Sequence, residues 1–153
     1  MSELKTVDDY TTYSVAIKWF DAMRVQDREV LIGCLDENIE WINYTKIEGM
    51  NDCMPWIGTY HGIEAVMQSF KVYLSVAEVK SEELISLIVS GEDATGIVRE
   101  IATIKETQED FEVEFVQWLK IQSGKIVRWK SYTDPSPIIK AMQSEKLLIV
   151  DGV

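Results

Sequence analysis

Apolar positions repeat with two different periods along this chain, and the change of period divides it in two. Over residues 9–26, Tyr13, Ile17, Phe20 and Met23 recur at helical spacing, with Asp8 or Asp9 placed to cap the N-terminus, which predicts one long amphipathic helix. Val30, Leu31, Cys34 and Leu35 mark one side of a second, shorter helix that Gly33 weakens. Ile39, Trp41 and Asn43 then alternate with Glu40, Ile42 and Tyr44 as in a strand. Beyond Gly62, the positions Ile63, Val66, Met67, Phe70 and Leu74 predict a third helix. From residue 78 the period falls to two. Segments 78–90, 94–106, 110–122 and 125–134 alternate Val, Ile, Thr, Phe and Trp with polar residues. Gly91-Glu92-Asp93, Gln108-Glu109 and Ser123-Gly124-Lys125 join them as hairpin connections. Pro135 and Pro137 end the last strand, and Ile138 to Met142 leave a final helical turn or two.

Helices first and an antiparallel meander afterwards predict an α+β fold, with about three helices packed on one face of a mostly antiparallel sheet. No repeat or linker divides the chain, so residues 1–153 read as one domain with its core at about 10–143. A loop from Lys46 to Tyr60 carries the breakers Gly49, Asn51, Asp52, Pro55 and Gly58. Its Met50, Met54, Trp56 and Ile57 are too apolar for a solvated loop, so the segment is expected to fold over something and bury them.

Composition narrows the partners. The formal charge of −11 argues against nucleic acid and against anionic membrane surfaces, and no basic cluster offsets it. There is no long apolar run, and the first residues lack the basic and apolar regions of a secretory signal, so the expected location is cytoplasmic. Cys34 and Cys53 have no CxxC spacing and there is a single histidine. Neither a disulfide, a metal site nor a cofactor is expected, and Cys34 reads as a small core residue.

Two stretches carry a family resemblance. Trp56-Ile57-Gly58-Thr59-Tyr60-His61-Gly62-Ile63-Glu64-Ala65-Val66 resembles the loop-to-helix junction of the SnoaL-like branch of the nuclear transport factor 2 superfamily. Gly124-Lys125-Ile126-Val127-Arg128-Trp129-Lys130-Ser131-Tyr132-Thr133-Asp134 resembles its last hairpin. The resemblance implies a cone-like curved sheet closed by helices around a central pocket. It does not imply one activity, because such folds host isomerases, cyclases, dehydratases, epoxide hydrolases and non-catalytic partners.

With that cone in place, period-two alternation selects the inward side chains. If Arg99 faces the cavity, so do Ile97, Ile101 and Thr103; Val113, Phe115, Gln117 and Leu119 follow on the next strand, then Trp129, Ser131 and Thr133, with Trp41 and Asn43 from the first strand. Phe20, Trp56, Tyr60 and Phe70 complete the expected substrate pocket. Asn43 and Arg99 match the water-holding asparagine and the arginine of limonene epoxide hydrolase. Its tyrosine position holds Trp41, and its two aspartate positions hold Ile101 and Ser131, which counts against that mechanism. In the ketosteroid isomerase and cyclase pattern the base position falls near Trp41 and the acid position near Gln117. No inward carboxylate is evident, and His61, Glu48 and Asp52 remain as proton acceptors.

Arg99 reads either as a clamp for a substrate carboxylate or enolate, or as a structural ion pair. Asn43 and Gln117 either orient a carbonyl or water, or satisfy one another in a polar core. His61 or Asp52 would move a proton. The expected function is an isomerase, cyclase or dehydratase acting on an apolar carbonyl-bearing metabolite. The alternative is a non-catalytic ligand-binding or dimerisation module of the same fold. Val116, Trp118 and Val127 would form an outer sheet face apolar enough for a homodimer.

Overall fold

The computed structural model describes residues 6–143. Two helices, α1 (Val7–Val25) and α2 (Arg28–Cys34), precede strand β1 (Leu35–Ile42). A loop leads to β2 (Thr59–His61) and α3 (Ile63–Val76). The meander follows as β3 (Ala77–Ser90), β4 (Asp93–Ile104), β5 (Asp110–Gln122) and β6 (Lys125–Tyr132), closed by α4 (Ser136–Met142). The six strands lie in the order β2-β1-β6-β5-β4-β3, antiparallel except for β1 beside β6. The fold is α+β with one curved, mostly antiparallel sheet.

Local chemistry explains the ends of these elements. Helix α1 starts earlier than its apolar period implies, because Thr6 is the N-cap and Asp9 completes a reciprocal capping box. Asp9 is buried and also accepts from the Gly91 amide at 2.6 Å, while Thr12 Oγ1 donates to the Gly91 carbonyl at 2.6 Å. The start of α1 is thereby pinned to the β3–β4 turn, where Gly91 adopts φ +60°. Leu35, expected in the second helix, opens β1 instead, and β2 emerges from what reads as loop. Three residues carry too little periodicity to be seen in advance. Met54, Trp56 and Ile57 are buried as expected, but Met50 is 70% exposed at the loop tip.

The registers assign each strand's faces. One cross-sheet row runs Trp41, Trp129, Leu119, Ala94, Val89, and the next runs Ser131, Gln117, Gly96, Leu87. Further along lie Phe115, Val98, Leu84, then Val113, Glu100, Glu82. These rows face the helices. Irregularities at Val79/Ser81 and Leu84/Ser86 in β3 and at Lys120/Ile121 in β5 bend the sheet around them. Gly96 lets the Phe20 ring of α1 approach β4 closely, since a Cβ there would stand 2.3 Å from Phe20 Cζ.

Candidate active site

The concave face and the helices enclose a cavity of about 580 Å³. Met23 of α1, Leu31 of α2, Met67, Phe70 and Tyr73 of α3, Trp56 of the loop and Ile138 of α4 form its apolar cover. The sheet supplies Trp41, Asn43, Glu82, Glu100, Val113, Phe115, Gln117, Trp129 and Ser131. Polar atoms gather in two places along this wall.

The first is a pair of carboxyls. Glu82 on β3 stands directly opposite Glu100 on β4, and the two side chains hydrogen-bond. Two ionised carboxylates in facing positions at a largely buried site repel strongly, so the pair retains a proton. Burial, then the Glu100 hydrogen bond and charge, push Glu82 up to about 9. Burial also raises Glu100, while hydrogen bonds from Glu82 and from Tyr73 oppose the rise. The Tyr73 hydroxyl donates to Glu100 Oε2 at 2.6 Å. Burial and the Glu100 charge hold the Tyr73 and Tyr44 hydroxyls protonated well above the usual phenol range. Glu82 therefore keeps its proton at neutral pH, hydrogen-bonded to Glu100 and beside two neutral phenols.

The second lies in an aromatic cluster. The Trp41 and Trp129 rings stack at 3.6 Å with 3° between planes, and Trp19 and Phe70 meet Trp41 edge-on at 5.8 and 5.0 Å. Gln117, fully buried, accepts from Trp129 Nε1 at 2.7 Å and Trp19 Nε1 at 3.0 Å through the same oxygen. Both indoles are donors only, so the carboxamide orientation is dictated: its oxygen faces them and its NH₂ faces away. Gln117 Nε2 and Trp41 Nε1 have no hydrogen-bond partner among the described residues.

Several expected positions need correction. Arg99 does not face the cavity. It lies on the outer face between Glu83 at 3.5 Å and Glu114 at 3.7 Å, with its side chain 44% exposed. Ile97, Ile101 and Thr103 share its parity and also miss the cavity wall. The strand phase is reversed because Ile97, Val98, Ile101 and Ala102 put apolar residues on both faces, leaving no contrast for a period-two reading.

His61 is exposed on β2, and Asp52 is exposed with its carboxylate accepting from the Gly49 amide at 2.7 Å; neither lines the cavity. The Tyr60 hydroxyl donates to the Trp56 and Ile57 carbonyls, fastening the loop. Phe20 packs on Gly96, Leu119 belongs to the core, and the Thr133 hydroxyl donates to the Glu114 carbonyl. Trp41, Asn43, Trp56, Phe70, Phe115, Gln117, Trp129 and Ser131 do line the cavity.

Glu82 and Glu100 were missed, and with them the inward carboxylates. A count along the chain does not find them: an unbroken hairpin from Gly91 would set Arg99 opposite Leu84, and the irregularity at Leu84/Ser86 shifts the register so that Glu83 faces Arg99 and Glu82 faces Glu100. Among the described residues no group of three or more His, Cys, Asp and Glu side chains is gathered as a metal ion would need. No described helix is long and apolar enough to cross a membrane.

A curved sheet wrapped by helices about one cavity defines the nuclear transport factor 2-like class. The model of the SnoaL-like domain family matches residues 16–129, and the chain belongs to that family. No curated protein sequence matches it significantly. Among solved structures it is similar to a nuclear transport factor 2-like protein of Burkholderia thailandensis, 22% identical with TM-score 0.78, covering 87% of this chain and 98% of the other. A candidate isomerase of Rhodopseudomonas palustris is 19% identical with TM-score 0.69, covering 86% and 94% respectively. A candidate SnoaL-like polyketide cyclase of Mesorhizobium loti is 17% identical with TM-score 0.65, covering 78% and 97%. At such identities the likeness is one of fold.

Proposed function

We propose that this chain is a proton-transfer enzyme, of the isomerase, cyclase or dehydratase kind, acting on an apolar carbonyl-bearing small molecule. The observation that carries this reading is the Glu82–Glu100 pair on the cavity wall, with the Tyr73 hydroxyl fixed on Glu100. Adjacent carboxyls in unlike protonation states supply an acid and a base together. The Glu100 carboxylate takes a proton from the carbon next to the carbonyl. The C–H electron pair becomes the C=C of an enol, and the carbonyl oxygen receives the Glu82 proton. In an unsaturated ketone, delivery of the Glu100 proton to the far carbon of the dienol, with the O–H proton returning to Glu82, completes an isomerisation. In a cyclisation the enol carbon attacks an internal carbonyl, whose oxygen takes the Glu100 proton while the enol O–H returns its proton to Glu82.

The experiment is deuterium incorporation by NMR, with the protein and a panel of cyclic and aryl ketones in D₂O. The wild type should exchange the proton next to the carbonyl, and Glu100→Gln should lose at least about 100-fold of that rate. Exchange no faster than buffer for every ketone, or an unchanged rate in Glu100→Gln, would sink the enzyme reading. Binding without exchange would make the chain a ligand-binding module.

The outer sheet face supports homodimer formation. Its rows Ile88, Thr95, Trp118, Lys130 and Ser86, Ile97, Val116, Tyr132 are largely apolar, with Ile88 and Tyr132 about half exposed. Light scattering should give twice the chain mass, and Val116→Lys should halve it. A monomeric wild type would end this part of the reading.

A further inference from the structure

We infer that Trp41 Nε1 and Gln117 Nε2 form the anchor for a second acceptor oxygen of the ligand, remote from the reacting carbon. This rests on the reading of the cavity as a small-molecule site. Buried polar hydrogens are nearly always paired, and each unpaired one is costly. Here two occur together, on two residues of one cavity wall and within one aromatic cluster.

Neither arrangement relaxes internally. Gln117 cannot rotate its amide, because the Trp19 and Trp129 indoles would then each face an NH₂ group. Trp41 is clamped flat on Trp129 and held edge-on by Phe70, which fixes the direction of its N–H. Both groups only donate at the free atom, so they select an oxygen with free lone pairs. A ketone, quinone or lactone carbonyl fits, whereas an ammonium, which has no lone pair, does not.

Spacing completes the ligand's outline. Gln117 and Val113 are four residues apart on β5, and Val113 is the register partner of Glu100. At strand rise this separates the anchor from the acid pair by about 13 Å along the backbone. Val98 and Phe115 occupy the row between them. The ligand class is thus an elongated, flat, apolar molecule with a carbonyl at its inner end and its reacting carbonyl near Glu82 and Glu100.

The probes are 2-acetylnaphthalene and its hydrocarbon counterpart 2-ethylnaphthalene. Binding of each to wild type and to Trp41→Phe is measured by calorimetry, and the indole ¹H–¹⁵N signals of the five tryptophans are followed by NMR. Wild type should prefer the ketone by about fivefold or more. Trp41→Phe should lose that preference, read as the ratio of ketone to hydrocarbon affinity within the same variant, so that lost apolar contact cancels. In the wild type, where no substitution can disturb folding, the Trp41 indole proton should move downfield with the ketone and not with the hydrocarbon.

An equal ketone preference in Trp41→Phe, or a Trp41 signal indifferent to the ketone, overturns the anchor. Deuterium exchange that persists alongside either result leaves the acid-pair reading standing. Conversely, Glu100→Gln that abolishes exchange while the ketone preference remains supports both. Failure of both probes to bind the wild type overturns anchor and cavity reading together.

Discussion

Tyr73 reaches from α3 to place its hydroxyl 2.6 Å from Glu100 Oε2 on β4, joining the helical cover of the cavity to its sheet wall. Register sets Glu82 on the other side of the same carboxyl. Glu100 is therefore gripped from a helix and from a strand. Three segments distant in sequence must assemble before its protonation state is defined.

Removing the phenol hydroxyl separates these effects. The Tyr73 hydrogen bond opposes the rise in the Glu100 pKa, so Tyr73→Phe should move that pKa upward. The acidic limb of the exchange-rate profile then shifts to higher pH. Chemical denaturation should show a loss of about 1–2 kcal/mol, because the bond ends on a charged acceptor. A profile that does not move would detach Tyr73 from the chemistry.

The acid pair also makes stability pH-dependent. Glu82 titrates near 4.5 when exposed and at about 9 in the fold, so the folded chain binds more protons between those values. Its contribution is fully present below pH 4.5 and disappears as pH rises toward 9. Glu82→Gln keeps a neutral group there at every pH. Its melting temperature relative to wild type should rise between pH 5 and pH 9, by about 4 °C or more at the upper end. Parallel curves for the two proteins would contradict the raised carboxyl.

Gly96 tests how α1 is seated. An added Cβ would meet Phe20 Cζ at 2.3 Å, and Phe20 is only 4% exposed, so the ring has little space to retreat. Gly96→Ala should destabilise by about 1–3 kcal/mol, and Phe20→Leu in the same chain should recover part of that loss. Strict additivity in a double-mutant cycle would show that the two do not touch.

Arg99 gives the opposite expectation. Its partners Glu83 and Glu114 have side chains 67% and 56% exposed, and such pairs contribute little. Arg99→Ala should alter stability by less than about 1 kcal/mol and leave naphthyl ketone affinity unchanged. A large loss of affinity would restore the arginine to the cavity.

The element order, the hairpin turns and the α+β class were legible in the chain because each rests on local periodicity. The inward faces of β1, β5 and β6 were also legible: Trp41, Gln117 and Trp129 alternate with polar or surface residues, and one phase is plainly the buried one. Strand β4 offered no such contrast. In the run Ile97 to Ala102, either Arg99 or Glu100 had to be inward, and alternation alone does not choose.

Tertiary structure made that choice through pairing. Glu83 and Glu114 flank Arg99 where water screens all three, so that row can face outward at small cost. Glu82 and Glu100 meet on the cavity wall, where Glu100 is buried, and their side chains hydrogen-bond to one another. The sequence by itself determined the α+β element order and the inward faces of β1, β5 and β6, since burial of an alternating face is a property of one strand. The acid pair and the two unpartnered donors were decided only in three dimensions, because each depends on which residue stands opposite on another strand.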